Sequence, residues 1–393
     1  MTPETKLPEL SVRLGTPPRA FGIYVHVPFC ATRCGYCDFN TYTPTELDGR
    51  DAPVRWLNAL RTEIALAAAH LGAVPQVQTV FIGGGTPSLL GAAALAAVLD
   101  AVRDHFPLAP DAEVTTEANP ESTAPEFFAR LRAAGFTRVS LGMQSSAPHV
   151  LATLDRVHSA GRAVAAAREA RTEGFEHVSI DLIYGTPGET DDDLLRSVDA
   201  ALGSGIDHLS AYALIVEPGT ALARRVRRGE LPGPDDDVLA GRYELLDRRL
   251  ADADMTWYEV SNWARPGGQC RHNLGYWNGG QWWGAGPGAH GYVGSIRWWN
   301  IKHPNAYADV LAGGALPVAG FERLDPQTSH IEEVMLGLRL RAGLPAALLS
   351  GVERDRAGRA IEDGLLLRDG QRVVLTDRGR LLADAVVRDL LGA

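Results

Sequence analysis

Cysteine is scarce in this chain: there are four in 393 residues, Cys30, Cys34, Cys37 and Cys270. At that length so few exclude a disulfide scaffold, and thiols kept reduced point to the cytoplasm. Positive charge is also short, with 38 Lys and Arg against 48 Asp and Glu, a net −10. Binding phosphate backbones needs a basic surface, so no nucleic-acid partner is expected. No long hydrophobic run exists: Leu89 to Leu99 stops at Asp100, short of the ~18 residues a membrane span needs. Met1 to Ala20 carries Glu4, Lys6, Glu9 and Arg13 without a continuous apolar core, which does not read as a signal peptide. Glycine has no period of three, which excludes a collagen-like chain. What is present is 45% hydrophobic and 22% charged residues, the balance of a globular protein with a sizeable core. The length fits one large domain and one small one.

Short β-branched runs recur along the chain, each followed by an Ala/Leu/Arg-rich helical stretch. They are Gly22 to Val27, Val77 to Ile82, Glu113 to Glu117, Arg138 to Leu141, His177 to Ile183 and His208 to Leu214. Helical patterns lie between them at Val54 to His70, Ala92 to Phe106, Ala124 to Ala134 and Gly161 to Glu173. Six βα units in series predict an α/β fold with a parallel sheet, doubly wound or rolled into a partial barrel. Either way the working face is at the C-terminal ends of the strands. Seven of the eight Trp fall between Trp257 and Trp299, among many glycines. Helical periodicity returns at Ile331, Val334, Met335 and Leu338. Leu365 to Arg368 and Arg372 to Leu375 flank Asp369-Gly370, a hairpin signal. Thr376 can cap a final helix running to Leu391. The expected divisions are a Pro-rich lead-in at 1–20, a βα domain at 21–255, a Trp/Gly-rich segment at 256–319 and a small winged-helix-like domain at 320–393.

The segment after the first predicted strand is Cys30-Ala31-Thr32-Arg33-Cys34-Gly35-Tyr36-Cys37. Three thiolates at C-x3-C-x2-C can hold three irons of a [4Fe–4S] cube and leave the fourth open to a small molecule. The alternatives are a zinc site or buried free thiols. Structural zinc wants four ligands, usually as two C-x2-C-like pairs, and no second pair exists here, though Cys270 or a distant His would complete one. This spacing after a strand resembles the signature of the radical S-adenosylmethionine (SAM) superfamily, in which the open iron takes the SAM amino and carboxylate groups. Gly83-Gly84-Gly85-Thr86-Pro87 ends the second strand, where glycine admits close backbone approach, although a tight turn explains it equally well. Glu117, Gln144 and Asp181 fall at successive strand ends, in register for ribose and amino-acid contacts. Arg156 is placed to pair with the SAM carboxylate, with an exposed helical ion pair as the plainer account.

Further stretches carry a narrower resemblance: Tyr24 to Cys30, Gly142-Met143-Gln144-Ser145, Asp181 to Pro187 and Gly286 to Gly291. Together they span residues 20–390 and resemble the oxygen-independent coproporphyrinogen III oxidase-like (HemN/HemW) family of radical SAM proteins. That resemblance implies a partial (β/α)6 barrel of the radical SAM type with a small C-terminal winged-helix-like domain. It also implies that Cys30, Cys34 and Cys37 ligate the cluster, and that Tyr24, Gly84, Gly85, Thr86, Glu117, Gln144, Arg156 and Asp181 line the SAM site. Tyr36 would lie against the adenine.

Two departures separate this chain from the dehydrogenase branch. That branch has a further cysteine two positions after the third, where Phe39 stands here, and a longer N-terminal extension. Both count against oxidase activity, which stays the alternative. Cys37-Asp38-Phe39-Asn40 is similar to the haem-chaperone branch, and so is His272-Asn273-Leu274-Gly275-Tyr276-Trp277, the H-N-x-x-Y-W motif associated there with haem binding. A neutral imidazole at His272 can ligate iron. Tyr276 and Trp277 can pack on a porphyrin, with Asn273 beside them, and Trp282, Trp283, Trp298 and Trp299 could wall an apolar slot. The plainer account is a satisfied core His among ordinary core Trp. Cys270 is either a competing ligand or a small buried hydrophobe. The branch implies a chaperone that binds haem beside a [4Fe–4S] cluster and exchangeable SAM and passes haem to an acceptor protein, with a membrane-associated acceptor among the options. An electron donor is the other implied partner. His26 and His290 are read as structural.

Overall fold

The computed structural model describes residues 6–10, 12, 20–47, 51–156, 159 and 161–392. Most of the 1–20 lead-in therefore lies outside the described residues. Within it, Leu7 and Leu10 are buried against the main core.

Six parallel strands carry the fold: β1 (Phe21–Val27), β2 (Val77–Gly84), β3 (Leu108–Ala118), β4 (Arg138–Gln144), β5 (His177–Tyr184) and β6 (His208–Ala213). They correspond to the six runs predicted from the sequence. Their order in the sheet is their order in the chain, the singly wound order of a barrel, where a doubly wound sheet would reverse partway. Six further strands extend both edges. On one side β7 (Thr256–Glu259) and β8 (Asn262–Ala264) pair antiparallel beyond β6. On the other, β9 (Gln281–Ala285) runs parallel to β1, followed by the antiparallel β10 (His290–Val293), β11 (Ile296–Asn300) and β12 (Val318–Arg323). The result is one open 12-stranded sheet, so the barrel is partial. The Trp/Gly-rich segment is woven into it.

Alternation along each strand separates two faces. Phe21, Ile23, Val25 and Val27 of β1 join Val80 and Ile82 of β2 in the helix-covered core. The opposite positions face the hollow of the barrel and are polar on most strands: Glu113 and Glu117, Ser140, Ser179 and Asp181, His208 and Ser210. A core made of this second set would be unstable, so the hollow stays open as a chamber. Helices supply the outer layer. The helix Ala52–Leu71 turns Trp56, Leu60, Ile64 and Ala67 inward, at helical spacing. Asp191–Leu202 starts from a capping box between Thr190 and Asp193.

The four Trp expected to share a slot are divided by the pleat. Trp283 and Trp298 are fully buried in the core with ring centroids 4.8 Å apart. Trp282 packs on Tyr292, and Trp299 lies near His290. Adjacent residues on a strand point to opposite faces, so neither Trp282-Trp283 nor Trp298-Trp299 can line one slot as a pair.

Residues beyond β12 form a unit with its own apolar core, including Val334, Leu338, Leu366, Val373, Val387 and Leu390. Its small sheet is β13 (Leu344–Pro345), β14 (Leu366–Asp369) and β15 (Arg372–Leu375) in the order β13-β15-β14, flanked by helices as a winged-helix-like domain requires. The hairpin and the Thr376 cap match the sequence reading. The final helix does not run unbroken: it divides at Leu382 into Asp377–Leu381 and Ala383–Leu391. Arg380 ties this unit to the barrel through Asp247 and stacks over Trp257 at 4.5 Å. No helix among the described residues is long and apolar enough to cross a membrane.

Candidate functional site

A cavity of about 560 Å³ fills the hollow and opens at the C-terminal ends of the strands. Cys30, Cys34 and Cys37 all border its mouth. The cysteine loop is held at both ends: Cys30 N–H donates to the Tyr42 carbonyl at 3.1 Å, and Tyr42 N–H to the Pro28 carbonyl at 2.7 Å. Asn40 Nδ2 reaches across to the carbonyls of Pro287 and Lys302, and the Asn40 carbonyl bonds the His26 ring at 2.9 Å. His26 is thus structural, as expected. Burial, with the other cysteines nearby, pushes the Cys37 thiol up to about 11 and raises Cys30. Among the described residues no three His, Cys, Asp or Glu side chains close around a single metal ion. The trio borders a wider space, whereas one ion needs every sulfur within about 2.3 Å of it. Three soft thiolate donors around an open cavity fit an iron–sulfur group.

The glycine strand end comes next to this loop. Gly84 has φ +112°, and a Cβ there would meet the His26 ring at 2.6 Å. A Cβ on Gly85 would sit 2.5 Å from the Phe29 carbonyl oxygen. Only glycine permits this approach of β2 to the cysteine loop. Gly85 N–H and Thr86 N–H then donate to the carbonyls of Val27 and Phe29, both at 2.7 Å. Thr86 Oγ1 donates to Cys30 Sγ at 3.7 Å.

The remaining expected SAM contacts converge on the same chamber, with one exception. Tyr36, Gly84, Gly85, Thr86, Glu117, Gln144, Arg156 and Asp181 all border it. Tyr24 stands behind the wall, bonded to His26 Nδ1 at 3.0 Å and stacked on Phe81. Glu117 accepts from Gly84 N–H at 3.0 Å. Burial, then the nearby Asp181, raises its carboxyl to about 8. Asp181 accepts twice from Ser140 Oγ at 2.9 Å, and burial raises it to about 6. Arg156 donates to Cys34 Sγ at 3.3 Å and to the Gly142 carbonyl at 3.2 Å. Gln144 holds φ +63°, a left-handed conformation uncommon outside glycine that a working site can retain at some cost. Thr115 Oγ1 is buried in the chamber wall without a partner.

The inner end of the chamber is closed by the helix Arg271–Trp277, which carries the H-N-x-x-Y-W motif. Cys270 and Asn273 border the chamber there; His272, Tyr276 and Trp277 do not. His272 is 3% exposed. Its Nδ1 lies 2.8 Å from Thr79 Oγ1 and its Nε2 2.8 Å from the Tyr276 hydroxyl, with the ring stacked on Phe81. Burial lowers it to about 4, so the ring is neutral. Both nitrogens are occupied, and in this arrangement the ring positions Tyr276 instead of presenting a lone pair to iron. The Cys270 thiol donates to Glu113 at 3.5 Å and is raised strongly by burial, the environment of an inert thiol.

Sequence reasoning missed the support beneath this floor. Glu113 accepts from the backbone N–H of Arg271 and His272 and pairs with Arg138 at 3.1 Å, fully buried. Both residues sit in predicted strands, and charges in strand cores are the signal that marks them. Glu63 was missed too. It accepts from Tyr307, Gly286 N–H and Asn300 and so anchors the loop that Asn40 grips. Its position on the apolar face of its helix, three residues after Leu60, was the available clue.

The comparisons agree with this geometry. Residues 24–201 match the Radical SAM superfamily, and residues 324–382 match the HemN C-terminal domain. The chain is 70% identical over 387 residues to "Heme chaperone HemW" of Mycobacterium tuberculosis, covering 98% of each. It is 34% identical over 383 residues to the protein of that name from Bacillus subtilis, covering 94% of this chain and 98% of that one. The structure of coproporphyrinogen III oxidase HemN from Escherichia coli aligns with a TM-score of 0.81 at 23% identity, over 95% of this chain and 90% of that one, a likeness of fold. Barrel, cysteine loop and C-terminal unit together with 70% identity along nearly the whole length make the chain a member of the HemW family of radical SAM proteins.

Proposed function

We propose that this protein is a haem chaperone: it binds haem and hands it to an acceptor protein, with a [4Fe–4S] cluster and exchangeable SAM in the barrel. The observation that carries the reading is 70% identity, over 98% of both chains, to a protein named as a haem chaperone. Cys30, Cys34 and Cys37 would hold the cluster, which when bound supplies a one-electron donor and an open iron for the SAM amino and carboxylate groups. Arg156 would orient the carboxylate from beside Cys34. The backbone of Gly84, Gly85 and Thr86 would meet the methionyl end. Asp181 and Gln144 would hold the ribose side, with Tyr36 against the adenine. Glu117, raised to about 8, is largely protonated at neutral pH, so it can donate a hydrogen bond as well as accept one. Tyr24 would act through Phe81 and His26 as a positioning residue.

The haem end would be the motif His272, Asn273, Tyr276 and Trp277. A donor of single electrons and a haem acceptor are the protein partners implied, with the acceptor at a membrane or in solution. Phe39 supports a carrier over an oxidase. It stands 59% exposed at the chamber mouth and offers no sulfur where the dehydrogenase pattern has its further cysteine. The test is oxygen-free incubation of the iron-loaded protein with coproporphyrinogen III, SAM and dithionite, beside a haem titration. Saturable haem binding without protoporphyrinogen IX is expected. Turnover to protoporphyrinogen IX would overturn the carrier reading in favour of an oxidase.

A further inference from the structure

The helix Arg271–Trp277 borders two cavities. Its start closes the chamber, while its end, at Tyr276 and Trp277, walls a second cleft of about 260 Å³. The far wall comes from the C-terminal unit: Leu340, Leu344 and Leu348 form its aliphatic part, with Glu332 and Glu333 beside them. Trp282 continues the near wall, its ring centroid 4.6 Å from that of Tyr276 in an edge-on contact. An aromatic wall facing an aliphatic one forms a slot for a flat, apolar ligand. Arg297 of the lining pairs with Glu332, and among the described residues one lining cation lacks such a pair. Arg372 donates to the carbonyls of Ala342 and Gly343 and makes no ion pair among the described residues. Such a guanidinium attracts a carboxylate. The lining contains no His, Cys or Met; of the haem-iron ligands it offers only tyrosine, as Tyr276, whose hydroxyl is bonded to His272 Nε2, and Tyr292.

We propose that this cleft is the haem seat, and that it grips the macrocycle by its two faces and one propionate, not by the iron. The proposal rests on the haem-chaperone reading and says where on this chain the cargo sits. Sites for drug-sized ligands measure about 300–1,000 Å³, so the C-terminal unit must move outward to admit a haem. That unit has its own core and meets the barrel through polar contacts such as Arg341 N–H to the Tyr258 carbonyl and Arg380 to Asp247, so it can shift as a body. A grip that leaves the iron free leaves its axial positions to the acceptor's ligands, as a carrier that surrenders its cargo requires.

The experiment titrates the full chain with haem and with iron-free protoporphyrin IX, following quenching of tryptophan emission. The two affinities are expected to agree within about threefold, since iron contributes little. Leu348→Glu, at a position already 37% exposed, should weaken both by about tenfold or more without shifting the thermal midpoint. Arg372→Gln should weaken protoporphyrin IX and leave its dimethyl ester unaffected. Wild-type-like haem binding by Leu348→Glu would overturn the proposal while leaving the chaperone reading intact. So would haem binding with no binding of protoporphyrin IX. Failure of the wild type to bind either porphyrin would overturn both.

Discussion

His272 and Tyr276, one helical turn apart, share a 2.8 Å hydrogen bond between Nε2 and the phenol oxygen. Thr79 holds the other ring nitrogen, so the imidazole is a buried strut between β2 and the motif helix. His272→Ala removes that strut and leaves two hydroxyl groups unsatisfied, a cost of about 2–4 kcal/mol. A lower denaturation midpoint and weaker haem binding are expected, with the axial-ligand features of the haem absorption and electron-spin spectra unchanged. Loss of an imidazole signature from those spectra would show that His272 ligates iron directly.

The three cysteines border one cavity mouth and are half-buried there. Cys30→Ala, Cys34→Ala and Cys37→Ala should each fold normally by circular dichroism. Each should fail to retain iron and sulfide after oxygen-free reconstitution, and the brown absorbance should disappear. Cys270→Ala should keep both. Full iron content in any of the first three variants would contradict the ligand assignment.

Gly85 lies where a Cβ would press on the Phe29 and Val27 carbonyl oxygens, neither of which can yield without moving the cysteine loop. Gly85→Ala should lower SAM affinity by about tenfold or more, equivalent to at least ~1.4 kcal/mol, measured by equilibrium dialysis. Gly241→Ala is the control, because a Cβ there meets nothing within 4 Å. It should leave SAM binding unchanged and stabilise its helix by about 0.5–1 kcal/mol.

Burial raises the Glu63 carboxyl to about 7 from an ordinary value of 4.5. The folded protein therefore holds a proton there that the unfolded chain releases. The stability this contributes is present below about pH 4.5 and is lost as the pH rises to about 7. Glu63→Gln lacks this dependence. It loses one hydrogen bond at every pH, yet its deficit relative to wild type should shrink by up to about 3 kcal/mol between those limits. Urea denaturation at several pH values measures the difference. A deficit that stays constant or grows with pH would contradict the assignment.

The barrel was legible because most of its six strands are short β-branched runs separated by helical stretches, a pattern that local chemistry repeats, although β6 carries no β-branched residue. The cysteine loop was legible because its three cysteines lie within eight positions. Strands β9 to β12 were not, since short Trp- and Gly-rich strands lack a clean period of two. One local clue was present: Gly294-Ser295 between Val293 and Ile296 is a two-residue hairpin loop of the type that joins β10 to β11. Contacts such as Asn40 with Pro287, or Glu63 with Asn300, join positions more than 200 residues apart. Only the assembled sheet brings them together. The orientation of His272 was likewise unreadable, because a motif gives residue types and not which side of a helix meets a neighbouring strand.

Delivery of haem is the central claim, and transfer to a general acceptor tests it most directly. Haem-loaded protein mixed with excess apomyoglobin, under oxygen-free conditions with and without SAM, should yield the absorption spectrum of reconstituted myoglobin as the carrier's own haem spectrum decays. Haem that never binds the chain at a defined stoichiometry, or that stays on it indefinitely in the presence of the acceptor, would contradict the account.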